Sequence, residues 1–86
     1  MKEIIAMHGW AGDGNQWSNW IELFQSDEWV WQSAERGYRD AKDYMPTWRD
    51  ISNQNNNIRV VICHSLGAHM MYTKTLSLAT HIVFIN

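Results

Sequence analysis

The apolar run Ile58-Arg59-Val60-Val61-Ile62-Cys63 passes without a spacer into His64-Ser65-Leu66-Gly67 and then into a helical pattern. A buried strand that ends in x-Ser-x-Gly and turns at once into a helix leaves the chain little freedom. The strand must lie in a sheet, the turn must be sharp, and the serine hydroxyl must stand exposed at the sheet's end. Gly67 has a steric reason to be glycine, because a Cβ two residues past the turn would crowd the tightly bent strand. The simpler reading of Ser65 is a helix N-cap, where serine is common. The strand before it, and a second strand exit at His8-Gly9-Trp10, favour the sharp turn.

Glu3 to Met7 reads as a short buried strand that leaves through the glycine-punctuated loop 8–16. Trp17, Trp20, Ile21 and Phe24 then recur at i, i+3, i+4 and i+7, one apolar face of a helix capped from Asp13 to Asn15. Ser26-Asp27-Glu28 breaks it, and Trp29 to Gln32 is a second strand, followed by a polar loop containing Gly37. Pro46 is expected to open a helix carrying Trp48 and Ile51 on one side. Asn53 to Asn57 reads as a bland polar linker. Arg59 to Cys63 is the third strand, a helix is expected from Leu66 to about Leu78, and His81 to Ile85 is the fourth strand. Strands alternating with helices at this spacing predict a single α/β domain over residues 1–86. Its three layers are a parallel sheet of about four strands and the flanking helices.

Composition narrows the function classes. An apolar content of 45% and a charged content of 19% fit a globular chain. The net charge of −2 gives no basic footprint, so neither nucleic acid nor an anionic membrane is expected as a partner. There is no bilayer-length apolar run and no charged-then-apolar leader at Met1, which makes a cytoplasmic address the default expectation. The lone Cys63 excludes an internal disulfide and any CxxC metal or redox motif, and no glycine-rich phosphate loop is present. No cofactor or metal is expected. Six tryptophans are many for so short a chain, and packing of helices on the sheet accounts for them more readily than ligand stacking.

His8-Gly9-Trp10 and His64-Ser65-Leu66-Gly67, each following a short apolar strand, together resemble the α/β-hydrolase fold family. Within it they are similar to small carboxylesterases that carry His-Gly-Trp in the oxyanion loop. The resemblance covers nearly the whole chain but only the amino-terminal portion of the family fold. It implies a spatial strand order of second, first, third, fourth, with a topological switch between the first and third strands where ligands bind. It implies Ser65 as nucleophile on an elbow spanning residues 63–67, with the backbone N–H groups of Trp10 and Leu66 as oxyanion donors. His8, Gly9, His64 and Gly67 would be structural there. The family usually has glycine where this chain has Cys63, a buried thiol with no expected reactive role.

The family's acid and base follow the nucleophile in sequence, yet no Asp or Glu occurs after Asp50. His69 lies one turn along the elbow helix, His81 precedes the last strand, His64 is the elbow's variable position, and His8 belongs to the oxyanion loop. None reads as the base. Two expectations follow. One is a serine ester hydrolase, acting on a small ester or acyl substrate, that is incomplete as this chain alone and weakly active or inactive. The other is a non-catalytic binding or oligomerising module that keeps the elbow. The end at Asn86, directly after an apolar strand, favours the first. That strand would be an unprotected edge, so a homodimer or higher oligomer through His81 to Ile85 is expected.

Overall fold

The computed structural model describes residues 1–24, 28–39 and 42–86. Four strands, β1 (Lys2–Met7), β2 (Trp29–Ala34), β3 (Ile58–His64) and β4 (His81–Ile85), form one sheet in the order β2-β1-β3-β4. Every pairing is parallel. The chain moves to one side of β1 for β2 and then crosses to the other side for β3, so the switch point lies between β1 and β3. This is a three-layer α/β arrangement, and its strand order is the one that the resemblance implies.

The layers follow from the period-two alternation of β1. Ile4 and Ala6 face Trp17, Ile62, Ile21 and Phe24. Ile5 and Met7 face Trp48, Val61, Cys63 and Met71. On the first face, a 3-10 turn (Gly14–Trp17) leads into α1 (Ser18–Phe24). Asp13 caps the turn through its side chain, which accepts the Asn15 N–H, as the sequence leads one to expect. The break expected at Ser26-Asp27-Glu28 falls mostly outside the described residues; Glu28 itself has φ 61. Tryptophans 17, 20, 29 and 31 pack there with Phe24 in edge-to-face and tilted pairs, a geometry that aromatic quadrupoles favour.

The second face corrects two expectations. Pro46 opens no helix. The backbone N–H groups of Arg49 and Asp50 donate to the Glu3 carboxylate at 2.7 and 3.1 Å, and the Asp50 carboxylate accepts the Ser52 N–H at 2.9 Å. Donors engaged in this way are lost to a helical ladder. Trp48 still packs in the core, but Ile51 is exposed. The expected helix from Leu66 to Leu78 is also interrupted. It becomes α2 (Gly67–Met70) and α3 (Thr73–Ser77), separated by extended backbone at Met71 and Tyr72. Aromatic and β-branched residues at Tyr72, Thr73 and Thr75 weaken helix propensity. Leaving the helix lets Met71 enter the core, while the Thr75 carbonyl accepts the Trp48 indole N–H at 3.0 Å.

Asn53 to Asn57 is more than a linker. Asn57 is buried; its Oδ1 accepts from the Met1 ammonium at 2.8 Å, and its amide donates to Ser52. Arg59, also buried, donates to the carbonyls of Leu78, Asp50 and Ser52. The hydroxyl and N–H of Ser52 hold the Asp50 carboxyl below its usual range. At the opposite edge Ile82, Val83 and Phe84 of β4 are exposed. No helix among the described residues is long and apolar enough to cross a membrane.

Candidate functional site

Strand register decides which residues meet at the carboxyl end of the sheet. Met7 pairs with Ala34 on one side and with Cys63 on the other. The next residue of each strand exit is therefore His8, Glu35 or His64, set in one row at the switch point. Ser65 follows His64 and has φ 55. That is left-handed backbone, which costs an L-residue about 1–2 kcal/mol relative to glycine. Its N–H donates to Ile85 O at 2.7 Å, which carries the β3–β4 ladder one step past the strand, and the residue is exposed. Ser65 is thus not an ordinary helix cap; Leu66, with φ −82 and ψ 4, is the residue that precedes α2.

Two glycines lock the β1 exit to this turn. A Cβ on Gly9 would stand 3.0 Å from His64 Nδ1, 3.3 Å from His64 O and 3.4 Å from Ser65 Cβ. A Cβ on Gly67 would stand 2.9 Å from His8 O and 3.0 Å from Met7 O. Sequence reasoning assigned the crowding at Gly67 to its own strand; the obstacle is instead the backbone of the neighbouring strand exit. The loop after β1 turns at Trp10 and Ala11, closed by Gly12 N–H to Gly9 O at 3.0 Å, with Ala11 at φ 62. The loop is shorter than 8–16, because residues 14–17 form the 3-10 turn. Among the described residues, no protein acceptor takes the backbone N–H of Trp10 or of Leu66.

Three residues that sequence reasoning did not single out hold this arrangement. Gln16 bridges the two motifs: its Oε1 accepts the Gly9 N–H at 3.3 Å, and its amide nitrogen donates to His64 Nδ1 at 3.1 Å. Glu35 accepts the N–H groups of Gly14 and Gly37 at 2.9 and 3.3 Å, and its own backbone pairs with Tyr44. Tyr38 packs its ring against those of His8 and Trp10. Glu35 left no signal, because the sequence reading ends the second strand at Gln32, whereas β2 runs on to Ala34. Gln16 and Tyr38 left none.

His8 is fully buried. Its Nδ1–H donates to Gly9 O at 2.8 Å. Its Nε2 lies 3.0 Å from the Arg36 N–H and 3.0 Å from Glu35 Oε2. Both nitrogens lie within hydrogen-bond reach of loop backbone groups. His69 is exposed on α2, and His81 bonds Thr80 at the far end of the sheet. Among the described residues no hydrogen bond joins the Ser65 hydroxyl to an imidazole. Cys63 points into the core, where burial pushes its thiol up to about 11, so it stays protonated and inert near neutral pH.

The arrangement brings together an exposed serine on strained backbone and the exposed residues Trp10, Tyr38 and Leu66. Among the described residues it presents a hydroxyl with no side-chain base hydrogen-bonded to it. A cavity of about 290 Å³ opens on the α3 face, lined by Thr47, Trp48, Ile51, Tyr72, Thr75 and Leu78, among others. None of the sequence-predicted site residues lines it, so its size has no bearing on the serine. No protein family, curated protein or solved structure matches this chain.

Proposed function

We propose that the carboxyl end of the sheet is a serine acyl-transfer site of the α/β-hydrolase type, with Ser65 as nucleophile and the N–H groups of Trp10 and Leu66 as oxyanion donors. The observation that carries the reading is the left-handed backbone of Ser65, φ 55, at the switch point beside the Gly9–Trp10 exit. Strain of this kind persists only where its surroundings enforce it, and it concentrates at functional sites. Gly9, Gly67 and the bond to Ile85 enforce it here.

In the reaction, Ser65 Oγ bonds to the carbonyl carbon of an ester and its proton passes to a base in solvent. The carbon–oxygen bond to the alcohol breaks, and the alkoxide takes a proton from water. Water then attacks the acyl-serine, releasing the acid and restoring the hydroxyl. A serine without an adjacent base is a poor nucleophile, and what remains is the contribution of the oxyanion donors, of order 10²–10³ in rate. Turnover by this chain is accordingly slow.

The test combines p-nitrophenyl acetate hydrolysis with fluorophosphonate labelling read by peptide mass spectrometry. The expected result is weak hydrolysis that Ser65→Ala removes, and an adduct on Ser65. An unmodified Ser65, or hydrolysis indifferent to Ser65→Ala, overturns the reading. Rapid turnover abolished by Ser65→Ala would instead reveal a base beside the serine.

A further inference from the structure

We propose, resting on the acyl-transfer reading, that Tyr38 and Trp10 form an aromatic wall beside Ser65 that selects flat, uncharged acyl groups of the arylacetyl class. Tyr38 stands on the loop after β2. Its ring centroid lies 5.8 Å from that of His8 and 6.0 Å from that of Trp10. Its hydroxyl donates to Met70 Sδ at 3.1 Å, and Met70 closes α2, the helix that begins two residues after Ser65. One side chain thus spans from the oxyanion loop to the elbow helix.

What this wall leaves uncovered defines the ligand. Trp10 is 69% exposed, Leu66 51% and Tyr38 42%. Trp20 is 37% exposed and Trp17, Trp29, Trp31 and Trp48 are buried or half-buried, so Trp10 is the most exposed of the six tryptophans. Exposed aromatic faces attract flat apolar groups. Among the described residues of these loops, Asp13 faces Arg39 at 3.5 Å, and Asp43 faces Arg36 at 4.0 Å. The Glu35 carboxylate accepts the N–H groups of Gly14 and Gly37, and His8 Nε2 lies 3.0 Å from it. Among the described residues these charges are engaged with one another, whereas an aryl ring would lie against Trp10 with its carbonyl near the Trp10 N–H.

The test separates this wall from the chemistry. The chain is labelled with ¹⁵N, the Trp10 indole resonance is assigned with Trp10→Phe, and phenylacetamide is titrated against acetamide, both neutral and not turned over. The Trp10 signal is expected to shift with phenylacetamide and not with acetamide. Tyr38→Leu, which keeps bulk without a ring, is expected to weaken binding about threefold to tenfold, while Tyr38→Phe retains it. The remaining indole signals report whether each variant is folded. An unmoved Trp10 signal, equal shifts with both amides, or unchanged binding in Tyr38→Leu overturns the wall. Ser65→Ala leaves the shift intact, so failure of the acyl-transfer reading appears separately, as a missing adduct on Ser65 with the Trp10 shift preserved.

Discussion

At the amino end of the sheet, Glu3, Asn57, Arg59 and Thr80 bind backbone groups or termini from distant parts of the chain. At the carboxyl end, Ala11 and Ser65 hold left-handed backbone while Trp10 and Leu66 face solvent. Both ends satisfy buried polar groups, and Glu28 at the amino end is left-handed as well, but only at the carboxyl end does left-handed backbone adjoin exposed aromatic and apolar side chains. The difference teaches where the stability of a small domain is invested. Strain of about 1–2 kcal/mol at each such residue is tolerable in a marginally stable fold only if other parts hold the strands in register. The polar bonds at the opposite end are expected to contribute to this.

The comparison breaks most visibly at Glu3. Its carboxylate is the acceptor for two part-buried backbone N–H groups, and Glu3→Ala would remove that acceptor from both. A loss of about 2–4 kcal/mol is expected, measured by urea denaturation. Glu3→Gln, which keeps one acceptor oxygen, is expected to cost less. A loss below about 1 kcal/mol for the alanine variant would mean that the amino end is not what steadies the fold. Gly67→Ala comes next. Its Cβ would meet the carbonyl of His8 at 2.9 Å, and relief by backbone movement is expected to cost about 1–3 kcal/mol. Because that movement displaces the β1 exit, labelling of Ser65 by fluorophosphonate should fall in a protein that remains folded; undiminished labelling would separate the two motifs. The smallest effect isolates the strain. Ser65→Gly and Ser65→Ala both remove the hydroxyl, yet only glycine accepts φ 55 freely. The glycine variant is expected to be the more stable of the pair by up to about 1 kcal/mol. Equal stability would show that the turn costs nothing.

The strands were legible because each is a short apolar run bounded by polar residues, and Ser-Leu-Gly after such a run marked the turn. The same local logic failed where a distant residue outbids the local pattern. Pro46 is a good helix start, but the N–H groups that a helix would use belong to Glu3, 46 and 47 positions away. The run from Leu66 to Leu78 has an apolar period that is nearly helical, yet Met71 leaves the helix to fill the core. At the site, the motif residues His8, Gly9, Trp10, Ser65 and Gly67 were readable, whereas Gln16, Glu35 and Tyr38 were not. Their roles arise from register and loop closure, which place Glu35 beside His8 and Gln16 between Gly9 and His64. A buried Glu3 inside an apolar strand was the one visible hint that a polar network lay at the other end.

The bond from Ser65 N–H to Ile85 O, 2.7 Å long, makes the serine's own amide the last rung of the ladder to the outermost strand. Edge strands fray more readily than central ones, and local opening proceeds in contiguous units. Lifting β4 therefore unlatches the turn that aims the hydroxyl, while β1 and β3 stay paired. Hydrogen exchange at the Ser65 amide becomes a direct gauge of β4 docking, and the lifetime of the aimed serine can be no longer than that of the edge that latches it.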